Sequence, residues 1–416
     1  MIKNNYYDGK LSINARKQSI KSDIIFTYLC KEKEKSRLHF YIHKDLIIHN
    51  ITCGGLDKYE VEEDIANWSP FISESKKITI HFKEPLLKGE KVDISFNYSG
   101  QIRKIEGSGV NRITEKWVEL GIYAPWFPLL ESFDKAWFKV KVSFEEGKYV
   151  VVGSNNIKEV EDGWLIDQKV PFIDCSFLAS EYFVDNQYGS QVSQIDCKVY
   201  YIDEKHKSIA KTLSDQSLWI LDSFINMFGD INHQDYSIVI VPREDGGGYN
   251  RPGLVVLPDL SEDQSVTHYK YLSGDIGNFK YLAHEIAHLW WSKADMTSWE
   301  DWLNESFAEY SCLITIRNYY GEKEFKDIIE KYIEGSKTLP PIKGIDRGHE
   351  SAFDVLYIKG PVLLYELERE IGKEVFEKLL NEIHTNKISN TEKLIDKLSE
   401  LTHRETVENF IKKLNS

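Results

Sequence analysis

The sequence predicts an α+β protein of two domains, an antiparallel β domain over 1–195 followed by a mixed, mostly helical domain over 196–416. Two observations carry this. Apolar residues alternate with a period of two in the first half of the chain and recur at spacings of three and four in most of the second. The two textures meet near residue 195, where the cut falls. A chain of 416 residues, 42% hydrophobic and 13% aromatic, holds enough apolar material for two ordinary cores, which excludes a disordered or low-complexity protein.

In the first half, Lys77–Phe82, Val92–Tyr98, Phe138–Phe144 and Tyr149–Val152 read as strands, being short, alternating and rich in β-branched or aromatic residues. Breaks at Gly153–Asn156 and Glu161–Gly163 punctuate them like hairpin turns. His39, His43 and His49 lie at spacings of four and six, which do not bring three imidazoles to one strand face, and they read as surface histidines. In the second half, residues 206–228 and most of 275–416 read as helices. Asp203–Lys207, a mixed-charge run, reads as a solvated helix start. Between the helical stretches, Ser237–Pro242 and Gly253–Pro258 read as two strands joined by a Gly-rich loop.

The 52 Lys and Arg against 66 Asp and Glu give a net charge of -14, with no basic block dense enough to track a phosphate backbone, so nucleic acid is not expected as a partner. No apolar run approaches the roughly 20 residues of a membrane span, and the first residues carry no secretion-type apolar segment. The expectation is a soluble, cytoplasmic protein without a membrane partner. The five cysteines, Cys30, Cys53, Cys175, Cys197 and Cys312, include no CxxC pair, so they are expected to be reduced rather than a disulfide framework or a zinc site.

Chemistry concentrates in one segment. Within Phe279–Trp291, Phe279, Leu282, Ile286 and Leu289 define a buried helical face, while His284 and His288 lie one turn apart on another and can face one ion, as a tetrahedral zinc site requires. Glu285 projects beside them, where it can act as general base on a water without ligating the metal. A second helix follows at Trp299–Tyr310, where Phe307 and Tyr310 mark the buried face and Glu305 and Glu309 stack one turn apart on another. Glu305 is the expected third ligand, leaving the fourth position for water, and Glu309 is expected to accept a hydrogen bond from a ligand imidazole.

His284-Glu285-x-x-His288 followed by Trp302-Leu303-Asn304-Glu305-Ser306-Phe307-Ala308 resembles the gluzincin family of zinc aminopeptidases, peptidase family M1, which includes alanyl aminopeptidase and leukotriene hydrolase. The resemblance extends to Tyr123–Pro128 and Phe133–Ala136 in the β domain and covers most of the chain. It implies a thermolysin-like catalytic domain over 196–416, one zinc ion per chain and peptide substrates. It also implies that Tyr357, in the segment Tyr357-Ile358-Lys359-Gly360, donates a hydrogen bond to the oxyanion formed when water attacks the substrate carbonyl, a task suited to a neutral phenol.

Three departures from the family pattern bear on specificity. His288 and Glu305 are separated by 16 residues, two fewer than is usual in the family, a trimming that a connecting loop absorbs. The stretch Asp245–Val256 stands where the family carries Gly-x-Met-Glu-Asn, whose glutamate binds the substrate amine. Here no glutamate aligns, and Tyr249 or Asn250 takes its place, while Gly247 and Gly248 are expected to let a peptide backbone approach an edge strand at Leu254–Leu257. The chain ends about one helical hairpin beyond the Tyr357 helix, so the family's C-terminal helical domain is not expected. The first reading is an aminopeptidase. The alternatives are an endopeptidase or a peptidase for blocked peptides, and a non-catalytic peptide-binding module that has kept the fold.

Overall fold

The computed structural model of the chain describes residues 5–63, 65, 72, 74–103, 110–154, 156–168, 170–189, 195–231, 235–243, 247–259, 275–345 and 347–416. The chain divides into two compact units, the first made mainly of Met1–Val184 and the second mainly of Asp185–Pro242 with Val255–Ser416. Arg251–Leu254 belongs to the first unit and Gly247–Asn250 to the second.

Period-two alternation builds the first unit. In the strand Lys91–Gln101, Val92, Ile94, Phe96 and Tyr98 are buried while Lys91, Asp93 and Ser95 face solvent, because successive side chains leave opposite faces of a strand. Among the described residues, one sheet has seven strands in the order Asn156–Val160, Gly163–Asp167, Ala136–Phe144, Asn5–Asn14, Ser19–Leu29, Lys91–Gln101, Leu46–Cys53. A second has four, in the order Leu129–Leu130, Glu34–His43, Ser75–Leu87, Leu56–Glu62. Their buried faces meet through aromatic rings: Phe40 of the second sheet lies 5.4 Å from Phe26 and 5.2 Å from Phe96 of the first, both edge-on. The segment Trp126–Pro128 is pinned to this core, Tyr98 donating to the Trp126 carbonyl at 2.7 Å and Tyr7 to that of Pro128 at 2.7 Å.

One parallel pairing joins the antiparallel ones of this unit, and two expectations need correction. Asn5–Asn14 pairs with Ala136–Phe144 in parallel, setting the Tyr7 and Phe138 rings in a stack 4.5 Å apart. Gly153 and Asn156 do not flank a hairpin, since Val150–Gly153 and Asn156–Val160 belong to different sheets. His43 is not a surface residue: it is fully buried, with Nδ1 accepting from the Asp45 amide at 3.3 Å and Nε2 3.7 Å from Glu74. His49 is exposed and His39 half-buried.

The second unit opens with a sheet ordered Val184–Gly189, Asp196–Tyr201, Asp235–Ile240, Leu254–Leu257, Tyr249–Arg251. Leu254–Leu257, expected at the edge, therefore lies inside, and Tyr249–Arg251 forms the edge. Asp196–Tyr201 and Asp235–Ile240 are parallel, so the chain must cross over between them, and it does so through α1 (Lys207–Phe228), whose Leu213, Ile220, Leu221 and Phe224 are buried. The turn before α1 is capped by the Asp203 side chain, but it is not a solvated start throughout: His206 is buried with Nε2 2.8 Å from Asp259, which also binds Lys205 at 2.6 Å.

The helices that follow are α2 (Asp275–Ala287), α3 (Trp302–Tyr319), α4 (Glu322–Ser336), the short α5 (Ala352–Asp354), α6 (Gly360–Ile371), α7 (Lys373–Thr385), α8 (Thr391–Leu401) and α9 (Arg404–Leu414). Every residue of α3 from Trp302 to Ile316 is buried, which makes α3 the axis of the unit, whereas α4 and α6 to α9 each bury one face only.

The turn between Asn156–Val160 and Gly163–Asp167 offers a clean stability test. Asp162 and Gly163 take positive φ (61° and 141°), and a Cβ at Gly163 would sit 2.2 Å from the Val142 carbonyl oxygen. Gly163→Ala is expected to destabilise the first unit by about 1–3 kcal/mol, read as a lower urea midpoint.

Candidate metal centre and active site

His284 occupies the last turn of α2, and His288 lies in the turn immediately after Ala287. Phe279, Leu282, Ile286 and Leu289 are all buried, so the apolar stripe anchors the helix and leaves both imidazoles on another side. Glu305 comes from the first turn of α3. The loop between the two histidines and α3 is tied down by Asn304, which accepts from the Ala294 amide at 3.1 Å and donates to the Ala294 carbonyl at 3.2 Å, imitating a backbone pairing.

The three side chains converge as the sequence predicts. His284 Nε2 lies 3.2 Å from His288 Nε2 and 3.3 Å from Glu305 Oε2, and His288 Nε2 lies 3.5 Å from the same oxygen. Donors bound tetrahedrally at about 2.0–2.1 Å from a zinc ion stand roughly 3.3–3.4 Å apart, so the spacing fits such an ion. The chemistry of the atoms fits as well. Nδ1 of His284 is 3.0 Å from Glu309 Oε2, and Nδ1 of His288 is 3.0 Å from the Trp291 carbonyl oxygen. Both partners are acceptors, so each Nδ1 carries a proton, and Nε2, which faces inward, is the atom left with a lone pair when the ring is neutral. Glu305 Oε2, buried without a hydrogen-bond donor, faces the same point. Three acceptors facing one another repel unless a cation, or a proton on one imidazole, stands between them.

The surroundings keep the carboxylates charged despite burial. Burial opposes ionisation of Glu309, yet the ammonium of Lys280 and the His284 imidazole hold its carboxyl down at about 2. Lys280 is itself fully buried one turn before His284, forms an ion pair with Glu309 Oε1, and Tyr332 donates to that oxygen at 2.6 Å. Burial likewise opposes Glu305, and Arg347 with the two histidines outweighs it, holding the carboxyl well below the usual range. Burial disfavours charge on His284, but Glu305 and Glu309 prevail and push it up to about 9, and Glu305 raises His288 in the same way. Lys280, Tyr332 and Arg347 escaped the sequence reading. Only Lys280 left a signal there, four residues before His284 and so on the same side of α2.

Glu285 is buried beside His284. Tyr357 lies in a π-helical stretch, Val355–Lys359, that runs directly into α6, where Pro361 stands in the first turn. Its ring stacks on that of His284 with centroids 5.3 Å apart and on Phe353 at 4.4 Å. Burial and the Glu305 carboxylate hold its phenol well above the ordinary value, so it carries its proton at neutral pH. Gly247 and Gly248 are half-buried ahead of the edge strand, with Tyr249 buried and Asn250 half-buried. A Cβ on Gly248 would meet the Val256 carbonyl oxygen at 2.5 Å and the Tyr281 hydroxyl at 2.6 Å, so internal packing alone requires glycine there.

Two histidines and a glutamate on adjacent helices, with a buried glutamate and a phenol beside them, make a donor set of the kind that can hold a zinc ion with a position left for water. Comparison with known proteins makes this specific. Residues 230–414 match the Peptidase family M1 domain. Endoplasmic reticulum aminopeptidase 2 of Homo sapiens is 25% identical over 272 residues, covering 60% of this chain and 28% of that protein. Leucine aminopeptidase 2 of Emericella nidulans is 32% identical over 126 residues, 26% of this chain and 20% of that one. The chain thus spans between a fifth and little more than a quarter of the length of these curated relatives. Among solved structures, the M1 zinc metallopeptidase of Deinococcus radiodurans superposes with a TM-score of 0.71 at 15% identity, covering 99% of this chain and 93% of that one. Native leukotriene A4 hydrolase of Saccharomyces cerevisiae does so with 0.72 at 17%, covering 98% and 67%. Residues 230–414 thus resemble the peptidase family M1 domain, and the two-domain α+β fold expected from the sequence is the fold that these structures share with the chain.

Two outcomes follow for the buried charges. Lys280→Met strands the Glu309 carboxylate and is expected to cost about 3–5 kcal/mol in denaturant unfolding, with Lys280→Met/Glu309→Gln recovering part of the loss. In the metal-free protein His284 titrates near 9 rather than 6.5. Its ion pairs therefore stabilise the fold fully below pH 6.5 and less as pH rises through 9. Melting temperatures of chelator-treated protein are expected to fall across that window, and zinc affinity in competition titrations to rise over it, since zinc displaces the proton.

Proposed function

We propose that the chain is a zinc peptidase that removes residues from the N-terminus of peptides. The observation that carries the reading is the convergence of Nε2 of His284, Nε2 of His288 and Oε2 of Glu305 on one point, with Glu285 and Tyr357 flanking it. One zinc ion per chain, held by these three residues, supplies Lewis acidity, bringing the pKa of a water toward about 7 and polarising the scissile carbonyl. Glu285 accepts the proton of the attacking water and delivers it to the departing amine. Tyr357, protonated at neutral pH, donates its hydrogen bond to the oxyanion as charge develops there. Glu309 and the Trp291 carbonyl hold the Nδ1 protons of His284 and His288, so both rings keep the tautomer that ligation needs. Gly247, Gly248, Tyr249 and Asn250 lead into the edge strand, along which an extended peptide can lie by backbone pairing.

Aminopeptidase action is supported by the names of the relatives. A second reading, cleavage that ignores the N-terminus, is favoured by one observation: no glutamate occupies 245–250 to meet the substrate amine. For location we take the cytoplasm, where the five free cysteines, four of them buried, would stay reduced. Among the described residues no helix is long and apolar enough to cross a membrane.

A mixed peptide set, half of it N-acetylated, incubated with the protein with and without a chelator and analysed by mass spectrometry, separates the readings. Stepwise loss of N-terminal residues from the free peptides only, stopped by chelator, is the expected result. Equal cutting of acetylated peptides supports the second reading, and no cleavage of any peptide moves the peptide-binding module to the front. Glu285→Gln is expected to lower kcat at least 100-fold, roughly the lower bound for general-base loss, while zinc stays bound.

A further inference from the structure

Arg347 lies in the segment between α4 and α5, outside every motif the sequence displays. Its Nε donates to Asp301 Oδ2 at 2.6 Å, and its terminal nitrogen donates to Glu305 Oε1. Asp301 and Glu305 are four residues apart on one face at the start of α3, and both are buried, so a single guanidinium clasps two buried carboxylates one helical turn apart. Asp301 is held in turn from the other side by Asn304, which donates to Oδ1 at 2.9 Å and also anchors the loop at Ala294. The two oxygens of Glu305 are thereby divided: Oε1 to Arg347, Oε2 to the point shared by His284 and His288.

We propose that Arg347 is a positioning residue for the metal centre, and that its hold on Oε1 confines Glu305 to ligation through the single oxygen Oε2. The inference rests on the zinc reading of the site. A carboxylate left to itself ligates a divalent cation through one oxygen or through both, and taking both fills a coordination position. A charge-assisted bond from guanidinium to one oxygen is strong and directional, so it both withdraws that oxygen and fixes the plane of the carboxylate. The fourth position then stays open for the water on which Glu285 acts. The guanidinium also bears on the Tyr357 phenol, opposing the upward push that burial and the Glu305 carboxylate exert on it. One side chain thus links the third ligand, the cap of α3 and the oxyanion donor. Lysine cannot replace it fully, because an ammonium offers no planar fork to span two carboxylates.

The test uses the full chain as wild type, Arg347→Lys and Arg347→Gln. Zinc affinity is measured by competition with a chromophoric chelator, cobalt is substituted to read coordination from its visible absorption, and the melting temperature of the metal-free form monitors folding. Wild type is expected to bind one zinc and to give the intense cobalt band of a four-coordinate site. Arg347→Gln is expected to bind zinc about 10–100-fold more weakly and to give a weaker band as Glu305 turns both oxygens to the ion. Arg347→Lys should fall between. For a variant too unstable to purify, Arg347→Ala with methylguanidinium added is expected to regain the wild-type band. Variants that lose melting temperature but keep wild-type zinc affinity and the wild-type cobalt band overturn the proposal, leaving Arg347 a structural residue. Failure of the wild type itself to bind zinc or cobalt overturns the reading of the site as a whole, and the proposal with it.

Discussion

Glu305 and Glu309 sit one turn apart on a helix buried along nearly its whole length, and both remain charged. Isolated carboxylates in such a place would take up protons, so the fold around α3 is constrained to deliver cations and donors to four particular oxygens. It draws them from every direction. Lys280 comes from α2, Tyr332 from α4, Arg347 from the segment after it, and the two histidines from the end of α2. In each carboxylate one oxygen faces the histidines and the other faces a cation.

This arrangement explains why the surrounding helices pack as they do. α2 must present Lys280 and His284 to the same helix four residues apart, which fixes its register against α3. The Asn304 contacts to Ala294 close the intervening loop without a strand or a disulfide and so fix where α3 begins and where Glu305 stands. Ser306, beside Glu305, donates to the Leu356 carbonyl at 2.6 Å and so ties the segment bearing Tyr357 to the helix bearing Glu305.

Much of the centre was legible in the sequence because helical spacing is a local property. His284, His288, Glu305 and Glu309 declare their mutual geometry through intervals of four, and the apolar residues between them declare which side is buried. Arg347 and Tyr332 had no such signal: they reach the site from loop and helix positions whose approach is decided by tertiary packing alone. The same division holds in the β domain. Alternation identified the strands of Lys91–Gln101 and Ala136–Phe144, but parallel and antiparallel neighbours share the same period, so the parallel pairing of Asn5–Asn14 was invisible. A buried histidine such as His43 reads identically to an exposed one until its strand has partners.

The π-helical stretch at Val355–Lys359 carries a further consequence. Such a stretch holds one residue more than an α-helix of the same rise, and it usually persists only where something gains from the misfit. Here the surplus residue sets the rotation of everything before it relative to α6. Without it the path from α5 to α6 could close into one continuous regular helix, and the Tyr357 ring would swing about a quarter of a turn away from His284.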